Sequence, residues 1–466
     1  MSRTDVDFSF RKSVPAYWFL KWGVLLLLWT LALPGPLSAQ LPKISPGSAQ
    51  NQDRQSREEP NSRDSTTNEQ GRWTSFLGNQ RNGISDETGL NVNWNKHKPS
   101  VLWREPLGGG YSSIVIADGK LWTMATHLNH DYIICLDALS GKKLWSTRGA
   151  PTYLDNQRQA RGPRSTPTWH AGKLYCLLPA GDLLCLTADT GRILWKVNIF
   201  DISGAPRQEQ KTIYYWGMSA SPLIEGDLVI LQPGGSANNS VIAVHKDTGK
   251  LVWSAGTDPP GYASPIVIEA ENQRQIIVPT GQSILSLNPK EGSLLWRVVW
   301  GNKYNCNCAT PVWNEDSLFI SSAYGTGSMR FALTLQNEEL RPISRWKNLS
   351  MQNQFATSII KDGYIFGPHG DLATVTYRCL DMQRGEVQWK SRRVGKCTQI
   401  AAQGHLICLT EQGTLVLIEA NPTEYREKGE LTGLLEFKAW AHPALANHRL
   451  YLRDEKRILC LDLKEK

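Results

Sequence analysis

Short apolar runs alternate with polar, glycine-rich turns along most of this chain. In one stretch Leu228, Val229, Ile230 and Leu231 are followed by Val241, Ile242, Ala243 and Val244, then by the turn Asp247-Thr248-Gly249 into Leu251, Val252 and Trp253. Runs of this length, rich in β-branched residues and bounded by turn residues, predict β-strands. The pattern recurs. A turn glycine is followed four residues later by tryptophan at Gly141/Trp145, Gly191/Trp195, Gly249/Trp253, Gly292/Trp296 and Gly385/Trp389. The glycine supplies the positive φ of a tight turn. The tryptophan ends the outermost strand, where its ring can wedge between neighbouring units and bury on the order of 150–250 Å².

With Trp103 and Trp346 added, the docking residues Trp103, Trp145, Trp195, Trp253, Trp296, Trp346 and Trp389 lie 42, 50, 58, 43, 50 and 43 residues apart. That period is too long for a helical-hairpin array and suits four-stranded propeller blades. Eight units begin near Ser113, Thr166, Ala220, Ala263, Ala309, Ala356, Thr398 and Ala441, of which the fifth and seventh lack the Gly-to-Trp turn. The eighth, with only the strands around Leu450 and Ile458, is one strand short. Residues 101–107, whose Leu102-Trp103 matches the ending of an outer strand, are placed to complete it and close the ring. Closure removes the unpaired edges of an open sheet. The expected fold is all-β, an eight-bladed β-propeller of four-stranded antiparallel blades closed by an N-terminal strand.

Units of the form Leu136-Asp137, Gly141, Leu144-Trp145 resemble the tryptophan-docking repeats of quinoprotein-type, or PQQ-like, β-propellers, and the likeness covers residues 73–466. The stretch Trp73, Gly78, Gly83, Gly89-Leu90, Trp94 and Trp103 is similar to the start of exported PQQ-like proteins common in planctomycetes. The quinoprotein dehydrogenases of this family carry an adjacent-cysteine disulfide over the cofactor, a calcium site of Glu, Asn and Asp, and a catalytic Asp. This chain has no Cys-Cys dipeptide, and the acidic residues nearest the expected mouth loops are Asp201 and Asp258.

Ahead of the repeats, Arg11, Lys12 and Lys21 precede an apolar stretch at residues 22–33, and Leu37-Ser38-Ala39 follows. This reads as a secretory signal over residues 1–39, cleaved after Ala39, with an uncleaved membrane anchor as the alternative. An exported protein, periplasmic or secreted, is expected. No cysteine occurs before Cys135, so attachment through a lipidated cysteine is not expected there. Residues 40–72 hold no aromatic side chain and are crowded with Ser, Asn, Gln, Pro, Arg and Glu. Such a composition buries too little surface to fold alone and reads as a disordered linker before the propeller at 73–466. The net charge of +8 is modest and dispersed, with no basic stripe interleaved with stacking aromatics. Nucleic acid is not an expected partner.

Of nine cysteines, Cys135, Cys185, Cys379 and Cys460 take one place before Leu in the third strand of their blades, where a small apolar side chain packs. Cys176 and Cys185 flank a turn centred on Ala180 and Gly181, which would set them directly opposite each other, as a disulfide or as two buried thiols. Cys306-Asn307-Cys308 lies in a loop before a blade and is open to a soft-metal, redox or structural reading. His127 and His130 lack the helical setting that an i, i+3 metal pair needs.

Loops before the first strand of each blade gather at one mouth of the channel. They bring Arg161, Arg164, Tyr215, Trp216, Tyr262, Asn305, Cys306, Cys308, Gln354 and His442 to it, with Tyr304 and Lys396. Such a rim suits a planar, anionic or sugar-like ligand held by stacking and cationic contacts. No Gly-x-Ser-x-Gly, P-loop or His-Glu-x-x-His motif occurs. The expectation is a monomeric, non-catalytic binding or scaffold propeller that takes a protein, glycan or small ligand at the mouth and needs no cofactor. The alternative is a dehydrogenase of alcohols or sugars dependent on pyrroloquinoline quinone (PQQ) and calcium.

Overall fold

The computed structural model describes residues 71–154, 162–205, 216–371 and 374–465. Eight four-stranded antiparallel blades occupy residues 115–151, 168–198, 223–255, 266–299, 312–348, 359–391, 397–431 and 444–462, the seventh extended by the parallel strand Ile84–Ser85 and the last completed by Ser100–Pro106. Among the described residues the only helix is a single turn, Ile199–Ser203. The chain is an eight-bladed β-propeller. Within each of the first seven blades the four strands follow chain order from the axis outward, so each connection is a hairpin. The signal segment, and all of the linker but its last two residues, lie outside the described residues.

The predicted docking is regular. Trp145, Trp195, Trp253, Trp296 and Trp389 pair across their hairpins with Cys135, Cys185, Ala243, Ser286 and Cys379, small enough to leave room for the indole, while Trp346 stands opposite Arg330. The ring then packs on the turn glycine of the next blade. A Cβ at Gly141, Gly191, Gly249, Gly292 or Gly385 would stand 2.4–2.7 Å from Trp103, Trp145, Trp195, Trp253 or Trp346. Glycine is therefore demanded by its neighbour as well as by its positive φ. The indole N–H also donates to the carbonyl three residues before that glycine: Trp103 to Ala138 (3.2 Å), Trp145 to Ala188 (3.2 Å), Trp195 to Lys246 (3.0 Å), Trp253 to Pro289 (3.2 Å) and Trp346 to Met382 (2.8 Å). At these five junctions a blade is thus joined to the next by ring burial and a hydrogen bond.

The two irregular units solve the same problem differently. Blade 5 replaces the glycine turn with a long hairpin, Gly327–Gln336 to Glu339–Asn348, so Trp296 has no turn carbonyl and donates instead to Gln275 Oε1 of its own blade (2.8 Å). In blade 7, Gly429 stands opposite Leu417, the place tryptophan takes elsewhere. The space belongs to Trp94, wholly buried, whose Cβ would lie 2.7 Å from a Cβ at Gly429.

Ring closure is as expected. Ser100–Pro106 pairs antiparallel with Arg457–Asp462. Arg453, 1% exposed, staples this blade to the first by donating to the carbonyls of Gly108 (3.1 Å), Gly110 (2.9 Å) and Met124 (2.7 Å) and to Thr123 Oγ1 (3.0 Å). A Cβ at Gly108 would lie 2.1 Å from the Thr126 carbonyl oxygen, so glycine lets the backbone come this close.

The segment ahead of the closing strand crosses the axis of the ring. Trp73 bridges Ile116 of blade 1, the Thr74 carbonyl accepts Trp169 N–H of blade 2 (2.8 Å), and Arg81 donates to Ser221 (3.1 Å) and Pro222 (3.0 Å) before blade 3. Ile84 and Ser85 then pair in parallel with Ala401 and Ala402 of blade 7. The channel is plugged by the chain's own backbone.

One predicted register is corrected. The hairpin after Cys176 is centred on Ala180, with Leu178 N–H bonded to the Asp182 carbonyl (2.8 Å), so Cys176 faces Leu184 while Cys185 faces Tyr175. Moving the turn by half a residue puts the two thiols on opposite faces of the sheet, in different core clusters. All nine cysteines are free thiols.

Candidate functional site

At the mouth of the ring a cavity of ≈ 1230 Å³ opens. Each blade contributes the residue one or two places before its repeat begins. Blades 1 to 4 supply Tyr111, Arg164, Ser219 and Tyr262. Blades 5 to 8 supply Cys308, Phe355, Lys396 and Trp440. The geometry follows from the repeat, since a position fixed in every blade forms a ring in an eight-fold array. Phe76, from the axial plug, also lines the cavity and meets His442 edge to face at 5.0 Å.

The structure brings Arg164, Trp216, Tyr262, Asn305, Cys306, Cys308, Gln354 and His442 together around this one cavity, with Tyr304 and Lys396. Arg161 and Tyr215 lie outside the described residues. The sequence reading missed Tyr111, Phe355 and Trp440, although each stands at the pre-repeat position that had drawn attention to Tyr262 and Cys308. Tyr324, Asp371 and Glu411 come from loops between second and third strands and carry no signal of that kind. Three residues singled out earlier have other tasks. Asp258 is buried against Thr280 Oγ1 (2.7 Å) and Arg297 (2.7 Å), and His127 and His130 pair at a hairpin tip.

One side of the cavity is a cationic aromatic wall. Trp440 has Tyr111 on one flank and Phe355 on another, each with ring centroids 4.9 Å away. Lys438 Nζ lies 4.5 Å and Lys396 Nζ 5.5 Å from the Trp440 ring. Trp440 Nε1 donates to Glu411 (2.7 Å), which also sits 3.6 Å from Lys396. Burial lowers the Lys396 pKa against the pull of Glu411. The Tyr111 hydroxyl donates to Glu455, and burial holds its proton far above the usual phenol range.

The facing side is phenolic. Trp216 and Tyr262 meet at 5.5 Å, Tyr304 and Tyr324 at 5.1 Å, and Arg164 reaches across with Nη1 on the Trp216 carbonyl (2.6 Å). Burial pushes Tyr262 well up and Tyr324 to about 12. Both remain neutral hydrogen-bond donors at pH 7. His442, pushed by burial to about 3, is a neutral imidazole. Arg164, Lys303, Lys396 and Lys438 outnumber Asp371 and Glu411 on the lining.

Among the described lining residues, carboxylates for a calcium-held quinone are few, Asp371 and Glu411. Among the described residues no three His, Cys, Asp or Glu side chains converge as a metal site. Hard cations ask for several carboxylate or carbonyl oxygens, whereas Glu411 is already engaged with Trp440 and Lys396. Cys306 and Cys308 are held apart by Asn307, whose amide is fixed on the Thr280 (2.8 Å) and Trp300 (2.9 Å) carbonyls.

The fold, its docking tryptophans and the axial cavity define a PQQ-like propeller. The family model described as outer membrane protein assembly factor BamB matches residues 67–201 and 129–391, and the chain belongs to that repeat family. A BamB of Moranella endobia is 22% identical over 265 residues, 54% of this chain and 63% of that protein. The quinone alcohol dehydrogenase subunit of Komagataeibacter europaeus is 29% identical over 150 residues, 31% of this chain. The match spans only 19% of that enzyme's length. Among solved structures, BamB from Moraxella catarrhalis aligns with a TM-score of 0.55 at 13% identity, covering 79% of this chain and 98% of that one. The quinohemoprotein alcohol dehydrogenase of Comamonas testosteroni gives 0.59 at 13% identity, covering 85% and 81%. These likenesses describe a fold shared by an assembly factor and by dehydrogenases alike.

Proposed function

We propose that this is an exported, non-catalytic binding propeller whose mouth cavity takes an anionic, planar or sugar-like small ligand or glycan end. The observation that carries the reading is the lining itself: one pre-repeat residue from every blade, six of them aromatic or cationic, with cations in excess. Aromatic faces bury the flat side of a sugar or ring, and cations fix its negative charge. The neutral phenols of Tyr262 and Tyr324 supply donors to hydroxyl or carboxylate oxygens. Export is supported by the leader and by the BamB relatives, named for an outer-membrane assembly role. Among the described residues no helix is long and apolar enough to cross a membrane.

The test is a titration of intrinsic tryptophan fluorescence and of the thermal midpoint against uronic-acid oligosaccharides, neutral sugars, and PQQ with calcium. Binding of acidic over neutral sugars, weakened at least tenfold by Trp440→Ala and by Lys396→Ala, is expected, because a ligand seen only by the native state raises its midpoint. A stoichiometric PQQ chromophore with a raised midpoint would replace this reading with the quinone-dependent oxidoreductase.

A further inference from the structure

Cys306 and Cys308 lie together in the loop joining blade 4 to blade 5, and both line the cavity. The loop holding them is built. Asn302 Oδ1 accepts Cys306 N–H (3.1 Å) while its Nδ2 donates to the Cys306 carbonyl (3.0 Å). Asn307 is anchored by its amide, and its own carbonyl accepts Tyr262 N–H (2.8 Å) and Ala263 N–H (2.9 Å). Cys308 Sγ sits 3.7 Å from the Cys306 carbonyl oxygen and is partly open to the cavity. The other seven thiols are buried within the blades and do not line it.

We propose that Cys306 and Cys308 form a two-thiolate site on the cavity wall for a soft monovalent d¹⁰ cation, of which Cu(I) is the physiological example. Thiolates are the soft donors that select Cu(I) over hard cations. Zinc in structural sites takes four ligands, and among the described residues no third His, Cys, Asp or Glu joins the pair. A cation content with two donors fits what the loop presents. Loading exchanges the protons of the two free thiols: two S–H bonds break, two S–Cu bonds form, and two protons leave to solvent. No electron moves, and copper enters and stays as Cu(I). The resulting complex carries one negative charge, facing the Arg164 guanidinium. The site shares the cavity with the ligand proposed above but does not depend on it, and either can fail alone.

The experiment is an anaerobic titration of the reduced full chain with the coloured Cu(I)–bicinchoninate complex. Withdrawal of one Cu(I) per chain by the wild type, and of none by Cys306→Ser or Cys308→Ser at an unchanged thermal midpoint, is expected. No withdrawal by the wild type, or equal withdrawal by the double variant, overturns the site. Should a variant fold poorly, the wild type still decides: Cu(I) loading should slow iodoacetamide alkylation of Cys308 at least tenfold in a peptide map, and unchanged alkylation refutes the proposal.

Discussion

Gly226 and Gly249 sit in turns of the same blade with positive φ, 56° and 68°. They differ in what surrounds them. A Cβ at Gly226 meets nothing within 4 Å, whereas at Gly249 it would stand 2.7 Å from Trp195 Cε3 and 3.0 Å from Cζ3. Alanine in the left-handed region costs about 1–2 kcal/mol at either position. Overpacking against a fixed ring adds about 1–3 kcal/mol at Gly249 alone. Gly226→Ala should therefore destabilise by about 1 kcal/mol and Gly249→Ala by about 3, read from urea midpoints at constant slope. The clash belongs to the pair, so in a Trp195→Ala background the cost of Gly249→Ala should fall to that of Gly226→Ala. Equal costs for the two alanines in the wild type, or a Gly249→Ala cost indifferent to Trp195, would refute docking as the reason for the repeat's glycine.

Trp94→Ala should cost about 3–5 kcal/mol and speed hydrogen exchange in Glu427–Leu431, because the ring that fills the seventh docking position is lost. Reduction should leave the thermal midpoint unchanged, and all nine thiols should alkylate after unfolding. The pH dependence has two limbs. His442 and His369 are held near 3 and 4 by burial, so an unfolded imidazole binds a proton that the folded one refuses. Stability should fall below pH ~6.5 by up to about 1.4 kcal/mol per pH unit for His442. Asp131, raised by burial to about 6, acts oppositely. Its contribution is full below the unfolded carboxyl range and is lost as pH rises through 6, so Asp131→Asn should raise urea midpoints at pH 7–8 and not at pH 4.

The blades were legible because docking needs a large flat ring and a turn without a side chain, a pairing that survives in sequence whatever the loops between do. Where a blade met the same need by other means, the pattern was silent. Nothing in the sequence around Gly429 points to Trp94, which lies far away in the chain and enters from outside the repeat. The register around Cys176 and Cys185 turned on whether the hairpin loop holds three residues or four, which Pro179-Ala180-Gly181 alone does not declare. For the cavity, position relative to the repeat was the usable signal, and it placed Tyr262, Cys308 and His442 around one cavity. Applied to all eight units, it would have reached Tyr111, Phe355 and Trp440 too. The axial plug left no such trace, because Phe76 and Arg81 act through contacts with blades that follow much later.

The strand that shuts the ring and its partner are made at very different times. Pro106 pairs with Arg457 across 351 intervening steps of chain (457 − 106). At roughly 5–20 residues per second of synthesis, the closing strand waits on the order of 20–70 s for the strand that covers it. For that interval its backbone donors and acceptors, and the exposed Val101 and Leu102 beside Trp103, are an invitation to any other extended chain. Synthesis rate and chaperone cover, more than final stability, should therefore set the yield of closed rings.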